Sequence, residues 1–146
     1  MDDKIVKYLT KNYPPKTELE SIIHGNLFFD QAQLLEDGEV YLFDFSDRSW
    51  APVAQELAVF LNHLYRSDTI TFERWKELKK WVLQAYQSVT ELSTNDIKAI
   101  PTLMIKRIVS ELSYLFRVSK ELDIVVDEHG NKKRLEMANY LLTQSY

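Results

Sequence analysis

Apolar residues recur with helical spacing along most of this chain. Sets spaced three or four positions apart predict amphipathic α-helices, and they occupy residues 2–12, 53–65, 71–89, 97–122 and 132–145. The Pro14-Pro15 pair ends the first helix. Pro52 fits the entrance of the second helix, and Thr71 is placed to cap the third. Pro101 predicts that the fourth stretch divides into a short first piece and a main helix.

Residues 21–47 have a different pattern. An apolar approach at residues 22–23 leads to His24-Gly25, followed by a polar loop and two short β-type runs. Residues 36–38 join these runs as a turn, and the second run ends on Asp44. Another turn is expected at residues 127–131, before the last helix. The pattern predicts an α+β fold, mostly α, with a small β-hairpin region and five or six helices in a single domain over residues 1–146.

The same segment carries a motif. It consists of His24-Gly25-Asn26, then Gln31, then the sequence DFSD that begins at Asp44. This arrangement resembles the catalytic and metal-binding segment of the aminoglycoside phosphotransferase and choline kinase family, in which HGDxxxxN precedes a hairpin and a strand ending in DFGD. The resemblance is specific over residues 21–58. It implies a protein-kinase-like fold, of which this chain is the C-terminal lobe.

Two of the three key positions differ from the family pattern. The resemblance implies that the loop aspartate orients or deprotonates the acceptor hydroxyl, while the loop asparagine and the strand-end aspartate hold magnesium. Asn26 stands at the aspartate position, and its neutral amide cannot accept a proton. General-base assistance of roughly 10²- to 10⁴-fold is therefore expected to be lost. Gln31 keeps the amide oxygen one methylene further out and Asp44 is unchanged, so a degenerate magnesium site at Asp44 and Gln31 is expected.

Several of these residues also have a structural interpretation. Asp44 is either a retained metal ligand or the cap of the turn that follows it. Asp30 substitutes for the missing carboxylate only if its side chain reaches the base position. His24 is expected to support the loop backbone, as the resemblance implies. Phe28 and Phe29 either pack beneath the loop or plug a cleft that no longer admits substrate.

No phosphate-binding loop is recognisable. The three glycines, Gly25, Gly38 and Gly130, match neither GxGxxG nor GxxxxGK. The resemblance implies an N-terminal lobe with a glycine loop, a strand lysine and a helix glutamate, and the residues before Ser21 are too few to form it. We expect a chain without that lobe, either a stand-alone gene product or a piece of a longer protein. No cofactor is expected for the chain alone, and magnesium and ATP are expected if activity is retained.

Composition narrows the expected partners. The formal net charge is −4 at pH 7, and the basic residues are scattered among acidic ones, which argues against nucleic-acid binding. No apolar run is long enough to cross a membrane and the start does not look like a signal peptide, so no membrane association and a cytoplasmic location are expected. Cysteine is absent, which excludes disulfides and thiol catalysis. No cysteine or second histidine stands at zinc-ligand spacing from His63 or His129, so a zinc site is not expected.

Two functions remain open. The chain is either a non-catalytic, pseudokinase-like module, or the C-terminal part of an ATP-dependent small-molecule phosphotransferase that needs a separate N-terminal lobe. Asn26 favours the non-catalytic module. Such a module is expected to form a homodimer or bind a protein partner through the face that an N-terminal lobe would cover. The candidate residues for that face are Phe28, Phe29 and, on the first helix, Ile5, Val6 and Leu9. In the alternative arrangement, the first helix folds back over this face within one molecule, which leaves a monomer.

Overall fold

A computed structural model describes residues 3–67, 69–122 and 128–144. This part of the chain forms five α-helices and four short strands, with one-turn 3₁₀ helices at Phe29–Gln31 and Phe45–Asp47. The helices are α1 (Asp3–Asn12), α2 (Val53–Arg66), α3 (Phe72–Gln87), α4 (Thr94–Leu122) and α5 (Glu128–Thr143). The strands are β1 (Glu20–Ile23), β2 (Ala32–Leu34), β3 (Val40–Leu42) and β4 (Ser49–Pro52). The predicted α+β, mostly helical fold class is confirmed.

The core lies between α2 and α4, and α1, α3 and α5 pack around these two helices. Their apolar stripes meet because residues three or four apart lie on the same face of a helix. Leu61 of α2 is fully buried there, as are Met104 and Ile105 of α4. Trp75 of α3 donates its indole N–H to the backbone oxygen of Leu61 at 2.9 Å. This packing fixes α4 against α2 and therefore determines where the side chains of the two helices lie.

Two antiparallel sheets of two strands each precede α2 in the chain. β2 and β3 form the predicted hairpin, and its turn contains Gly38 at φ +88°, a left-handed conformation that glycine adopts without strain. β1 pairs with β4 in a register that places Ile22 opposite Trp50. The sequence did not predict this second pairing, which links two segments far apart in the chain. Because β4 leads directly into α2, the sheet also fixes the start of that helix.

Asp96 joins the start of α4 to the segment that leads into β1. Its side chain is buried, and Oδ1 accepts hydrogen bonds from the backbone N–H groups of Glu18 and Leu19 at 2.8 and 3.2 Å. Oδ2 accepts from the backbone N–H and the hydroxyl of Ser93 at 3.1 and 2.7 Å. Burial by itself raises the pKa of Asp96, but these hydrogen bonds outweigh burial and lower the pKa below its usual 3.8.

α4 runs through Pro101 without a break, so the predicted division of this helix was wrong. Proline inside a helix costs about 3 kcal/mol because it lacks the N–H and crowds the preceding turn. Here Ile100 and Met104 are buried on either side of it, and their packing outweighs that cost. α4 also begins earlier than predicted, because Ser93 Oγ accepts from the N–H of Asp96 at 3.1 Å and caps the first turn. None of the helices in the described residues is long and apolar enough to span a membrane.

α5 begins within the stretch predicted as a turn. Residues 128–131 form its first turn, so the turn prediction was wrong for them, and residue 127 lies outside the described residues. Arg134 Nη1 donates to Asn131 Oδ1 at 3.1 Å, three positions away. This contact between neighbours on one helix face supports the helical turn.

α1 folds back onto α4 and α5. Ile5 is 1% exposed and Leu9 packs against the core, while the hydroxyl of Tyr8 is hydrogen-bonded to that of Thr102 at 2.8 Å. The prediction that Ile5 and Leu9 belong to an exposed contact face was therefore wrong, because the apolar stripe of this short helix covers the core. Val6 is exposed on the other side of the helix.

Candidate functional site

Two side chains hold the loop that carries Asn26. His24 is buried, and its Nε2 donates a hydrogen bond to the backbone oxygen of Phe43 at 2.8 Å. Glu56, at the start of α2, accepts a hydrogen bond from the backbone N–H of Gly25 at 3.0 Å. The prediction that His24 supports the loop backbone is confirmed. Glu56 anchors the loop to the helical core from the other side.

Gly25 is required by a close approach between two backbone segments. Its φ is +84°, and a Cβ atom added there would lie 2.3 Å from the backbone oxygen of Asp47. Both the left-handed conformation and the lack of space exclude a side chain at this position. The loop therefore packs directly on the turn that follows Asp44.

Backbone contacts of Phe43, the residue before Asp44, link it to His24 and Gln31. Its carbonyl oxygen accepts the hydrogen bond from His24, and its N–H donates to the backbone oxygen of Gln31 at 3.1 Å. The end of the loop at Gln31 is thus hydrogen-bonded to the residue that follows strand β3. This is the neighbourhood that the resemblance implies for Gln31 and Asp44.

Gln31 and Asp44 have different surroundings. Gln31 Oε1 is buried and has no hydrogen-bond partner among the described residues. Asp44 is exposed and left-handed at φ +60°, and its Oδ1 accepts from the hydroxyl of Ser46 at 2.8 Å. Its side chain makes no capping hydrogen bond to the following 3₁₀ turn, which weakens the capping interpretation.

Both residues offer oxygen atoms, the ligand type that magnesium prefers. Among the described residues, no three histidine, cysteine, aspartate or glutamate side chains are grouped so that they could hold a metal ion. A magnesium ion here would depend on Asp44, Gln31 and oxygen atoms of its nucleotide. The magnesium site therefore stays a prediction.

Asn26 is tied to helix α4. Its Oδ1 accepts a hydrogen bond from Arg107 Nη2 at 2.8 Å, and Arg107 Nε donates in turn to Glu111 Oε1 at 2.7 Å. The amide is thus held in one orientation beside a guanidinium group, which is always charged. It cannot take up a proton, and a neighbouring positive charge lowers the basicity of any group at this position. The arrangement keeps the loop in place without providing a general base.

Phe28 and Phe29 have different roles. Phe28 packs against the core, with its ring 6.0 Å from that of Phe60 and edge-on to His63 at 5.2 Å between centroids. Packing beneath the loop is therefore the correct interpretation for Phe28. Phe29 is 61% exposed, so it remains available to a contact surface.

A basic cleft lies beside Asn26, and sequence reasoning missed it. Its volume is about 270 Å³. The residues that define it are Asn26, His63, Arg66, Arg107, Glu111 and Arg134. The spacing of Arg107 and Glu111, four residues apart, is the local signal for part of it. Arg66 and Arg134 come from α2 and α5, and only the packing of these helices brings them to the cleft.

Glu111 is the centre of the basic cleft. Its Oε2 accepts from Arg134 Nε at 3.1 Å and from Arg66 Nη1 at 3.3 Å, while His63 Nε2 lies 3.8 Å from Oε1. Burial by itself raises the pKa of Glu111, but the contacts with His63 and Arg107 and the charges of Arg66 and Arg107 outweigh it. They hold the pKa far below its usual 4.5. Glu111 is therefore charged at physiological pH.

Part of the chain is similar to the EKC/KEOPS complex subunit BUD32 of Debaryomyces hansenii. The two sequences are 39% identical over 75 residues, which is 51% of this chain and 28% of that protein. The match thus spans little more than a quarter of the length of BUD32. No protein-family model matches the chain, and no solved structure matches it significantly. BUD32 is kinase-like, so the chain is partly similar to a kinase-like protein, and membership of the aminoglycoside phosphotransferase family stays a prediction.

Proposed function

We propose that this chain is a kinase-like C-terminal lobe, related to the aminoglycoside phosphotransferases, that acts by binding a partner rather than by transferring phosphate. The observation that carries the proposal is the hydrogen bond from Arg107 to Asn26. The resemblance assigns this position to a catalytic aspartate, and a neutral amide held by a guanidinium group cannot deprotonate an acceptor hydroxyl. His24 and Gly25 still hold the loop, so its shape is kept without its base.

An exposed apolar surface on the strands supports the binding role. Ile22 and Trp50 face each other across β1 and β4 and are 67% and 69% exposed. Leu34 and Val40 form a second such pair on β2 and β3. Exposed groups of large apolar side chains are typical of contact sites. The proposed partner is a second copy of this chain or another protein, and BUD32, named as a subunit of a complex, is a precedent for the latter.

The alternative function is phosphate transfer, as the C-terminal part of an ATP-dependent small-molecule phosphotransferase. Two observations favour it. Gln31 Oε1 is buried without a partner among the described residues, and Asp44 keeps a left-handed backbone that costs about 1–3 kcal/mol outside glycine and often marks functional sites. Gln31 and Asp44 would hold magnesium through their side-chain oxygens. Bound magnesium would neutralise the charge of the nucleotide phosphates.

Light scattering coupled to gel filtration tests the binding role. We expect the mass of the wild-type chain to rise above 17.2 kDa with concentration. Trp50→Asp should return it to the monomer mass, because a buried carboxylate without a partner is costly. Trp81→Asp replaces another exposed tryptophan, on α3, and should leave the mass unchanged. A wild-type chain that stays monomeric at every concentration would rule out self-association as the binding role. Measurable phosphate transfer would favour the alternative function.

A further inference from the structure

We propose that the basic cleft binds a phosphate dianion, either inorganic phosphate or the phosphate group of a small monoester. The cleft lies at the loop position of Asn26, between α2, α4 and α5, and nothing in the sequence motif accounts for it. Its charge, its volume and the amide at position 26 each support this ligand.

Positive side chains outnumber negative ones among the residues that line the basic cleft. Arg66, Arg107 and Arg134 contribute guanidinium groups to this lining, and Glu111 contributes a carboxylate. Arg134 is only 6% exposed, and charges shielded from water interact strongly because the local dielectric constant is low. A phosphate monoester carries about −1.5 to −2 charges at neutral pH. It therefore suits a cleft lined by three guanidinium groups better than a single carboxylate does.

The dimensions and donors of the basic cleft also fit. A volume of about 270 Å³ exceeds that of a phosphate group and leaves room for a small substituent. The side chains of Arg66 and Arg107 are 37% and 29% exposed, so an anion can reach them from solvent. Tyr114 also lines the cleft, and the guanidinium carbon of Arg117 lies 5.8 Å from its ring centroid, which adds a further positive charge nearby. Guanidinium groups bind phosphate with two parallel hydrogen bonds, which gives specificity as well as affinity.

Asn26 suits anion binding in a way that aspartate does not. Its Oδ1 is taken by Arg107, and its amide nitrogen is a hydrogen-bond donor without charge. An aspartate would bring a second carboxylate beside Arg107 and repel a phosphate. The substitution that removes the general base thus also favours an anion at this place. Phosphate binding goes beyond the proposed function, because both a non-catalytic binding lobe and an enzyme could bind phosphate here. Failure to detect phosphate binding would therefore not contradict the proposed function.

Titrations followed by ¹H–¹⁵N NMR test the phosphate site. The probes are inorganic phosphate, phenyl phosphate, succinate and sodium chloride at matched ionic strength, and the signals are the Asn26 side-chain amide and the Arg107 Nε–H. We expect saturable shifts with both phosphates at a dissociation constant of about 1 mM, weaker shifts with succinate and none with chloride. Absence of a saturable change up to about 20 mM phosphate, or an equal response to succinate, would overturn the proposal.

Two variants should change phosphate affinity in opposite directions. Asn26→Asp should weaken binding by about fivefold, and Glu111→Gln, which removes the competing carboxylate, should tighten it by about fivefold. Arg74→Gln removes a positive charge from the exposed face of α3 and should leave the affinity unchanged. Equal affinities for wild type and Asn26→Asp would contradict the proposal, as would a loss in Arg74→Gln as large as that in Asn26→Asp. Circular dichroism shows whether each variant is folded. If Glu111→Gln does not fold, the affinity of Asn26→Asp and the comparison of the four anion titrations test the proposal.

Discussion

Replacing Asp96 by alanine should destabilise the chain more than most single substitutions. Its carboxylate accepts four hydrogen bonds, two from the backbone N–H groups of Glu18 and Leu19 and two from Ser93. The residue is 1% exposed, so water cannot readily replace the lost oxygen atoms. The contact also spans 77 and 78 positions in the chain, and its loss would release the segment that leads into β1.

The magnitude follows from the groups left unpaired. Each buried N–H group that loses a charged acceptor costs about 1–3 kcal/mol, so Asp96→Ala should lower the free energy of unfolding by about 3 kcal/mol and the Tm by roughly 10 °C. The control is Asp37→Ala, which removes a single hydrogen bond at 3.0 Å to Glu39 N–H in the exposed hairpin turn. It should cost less than about 1 kcal/mol. Urea denaturation followed by circular dichroism gives both values.

The pH dependence supplies a second readout for Asp96. Its pKa is lower in the folded chain than the usual 3.8, so its charge stabilises the fold fully above that pH. This stabilisation is lost as the pH falls through the folded pKa. Asp96→Asn has no such titration, so its deficit relative to wild type should shrink as the pH drops below 3.8. A deficit that stays constant across this range, or a cost below about 1 kcal/mol for Asp96→Ala, would refute the reasoning.

Two further predictions concern the loop and the nucleotide. Gly25→Ala should destabilise the chain by more than about 2 kcal/mol, because the added Cβ would lie 2.3 Å from the backbone oxygen of Asp47. Gly38→Ala has a similar φ but nothing within 4 Å, so it should cost only about 1 kcal/mol, and equal losses in urea denaturation would contradict the steric argument. Calorimetry should show magnesium-ATP binding no tighter than about 1 mM, because Asp44 and Gln31 alone offset little of the entropy of association; micromolar affinity would contradict this.

The helices and the loop were predictable because their signals are local. Periodic apolar residues predicted five helices that the structure contains, and the hydroxyl of Thr71 accepts from the N–H of Arg74 as a helix cap should. The motif predicted that His24 and Gln31 lie close to the strand end that precedes Asp44, and the His24 ring and the Gln31 backbone both contact the backbone of Phe43. The helices depend on residues that are close together in the sequence. The loop could be predicted because the family it resembles has a known arrangement of the corresponding residues.

The errors arose where tertiary packing outweighs a local rule. Pro101 predicted a break, but its buried neighbours keep α4 continuous. Ile5 and Leu9 were predicted to lie on an exposed face, but they pack against the core. Apolar spacing shows which face of a helix is apolar, and it does not show which other elements cover that face. The basic cleft combines Arg66, Arg107 and Arg134 from three helices, and no spacing along the chain predicts that meeting.

The rate of phosphate transfer tests the central claim most directly. The wild-type chain would be incubated with magnesium-ATP and a panel of amino sugars, choline and small alcohols, and products followed by ³¹P NMR against a heat-denatured control. Because Asn26 supplies an amide bonded to Arg107 where a base is needed, we predict no product above the control with any acceptor. Phosphorylated acceptor that forms with the wild-type chain and disappears in Asp44→Asn would contradict the account.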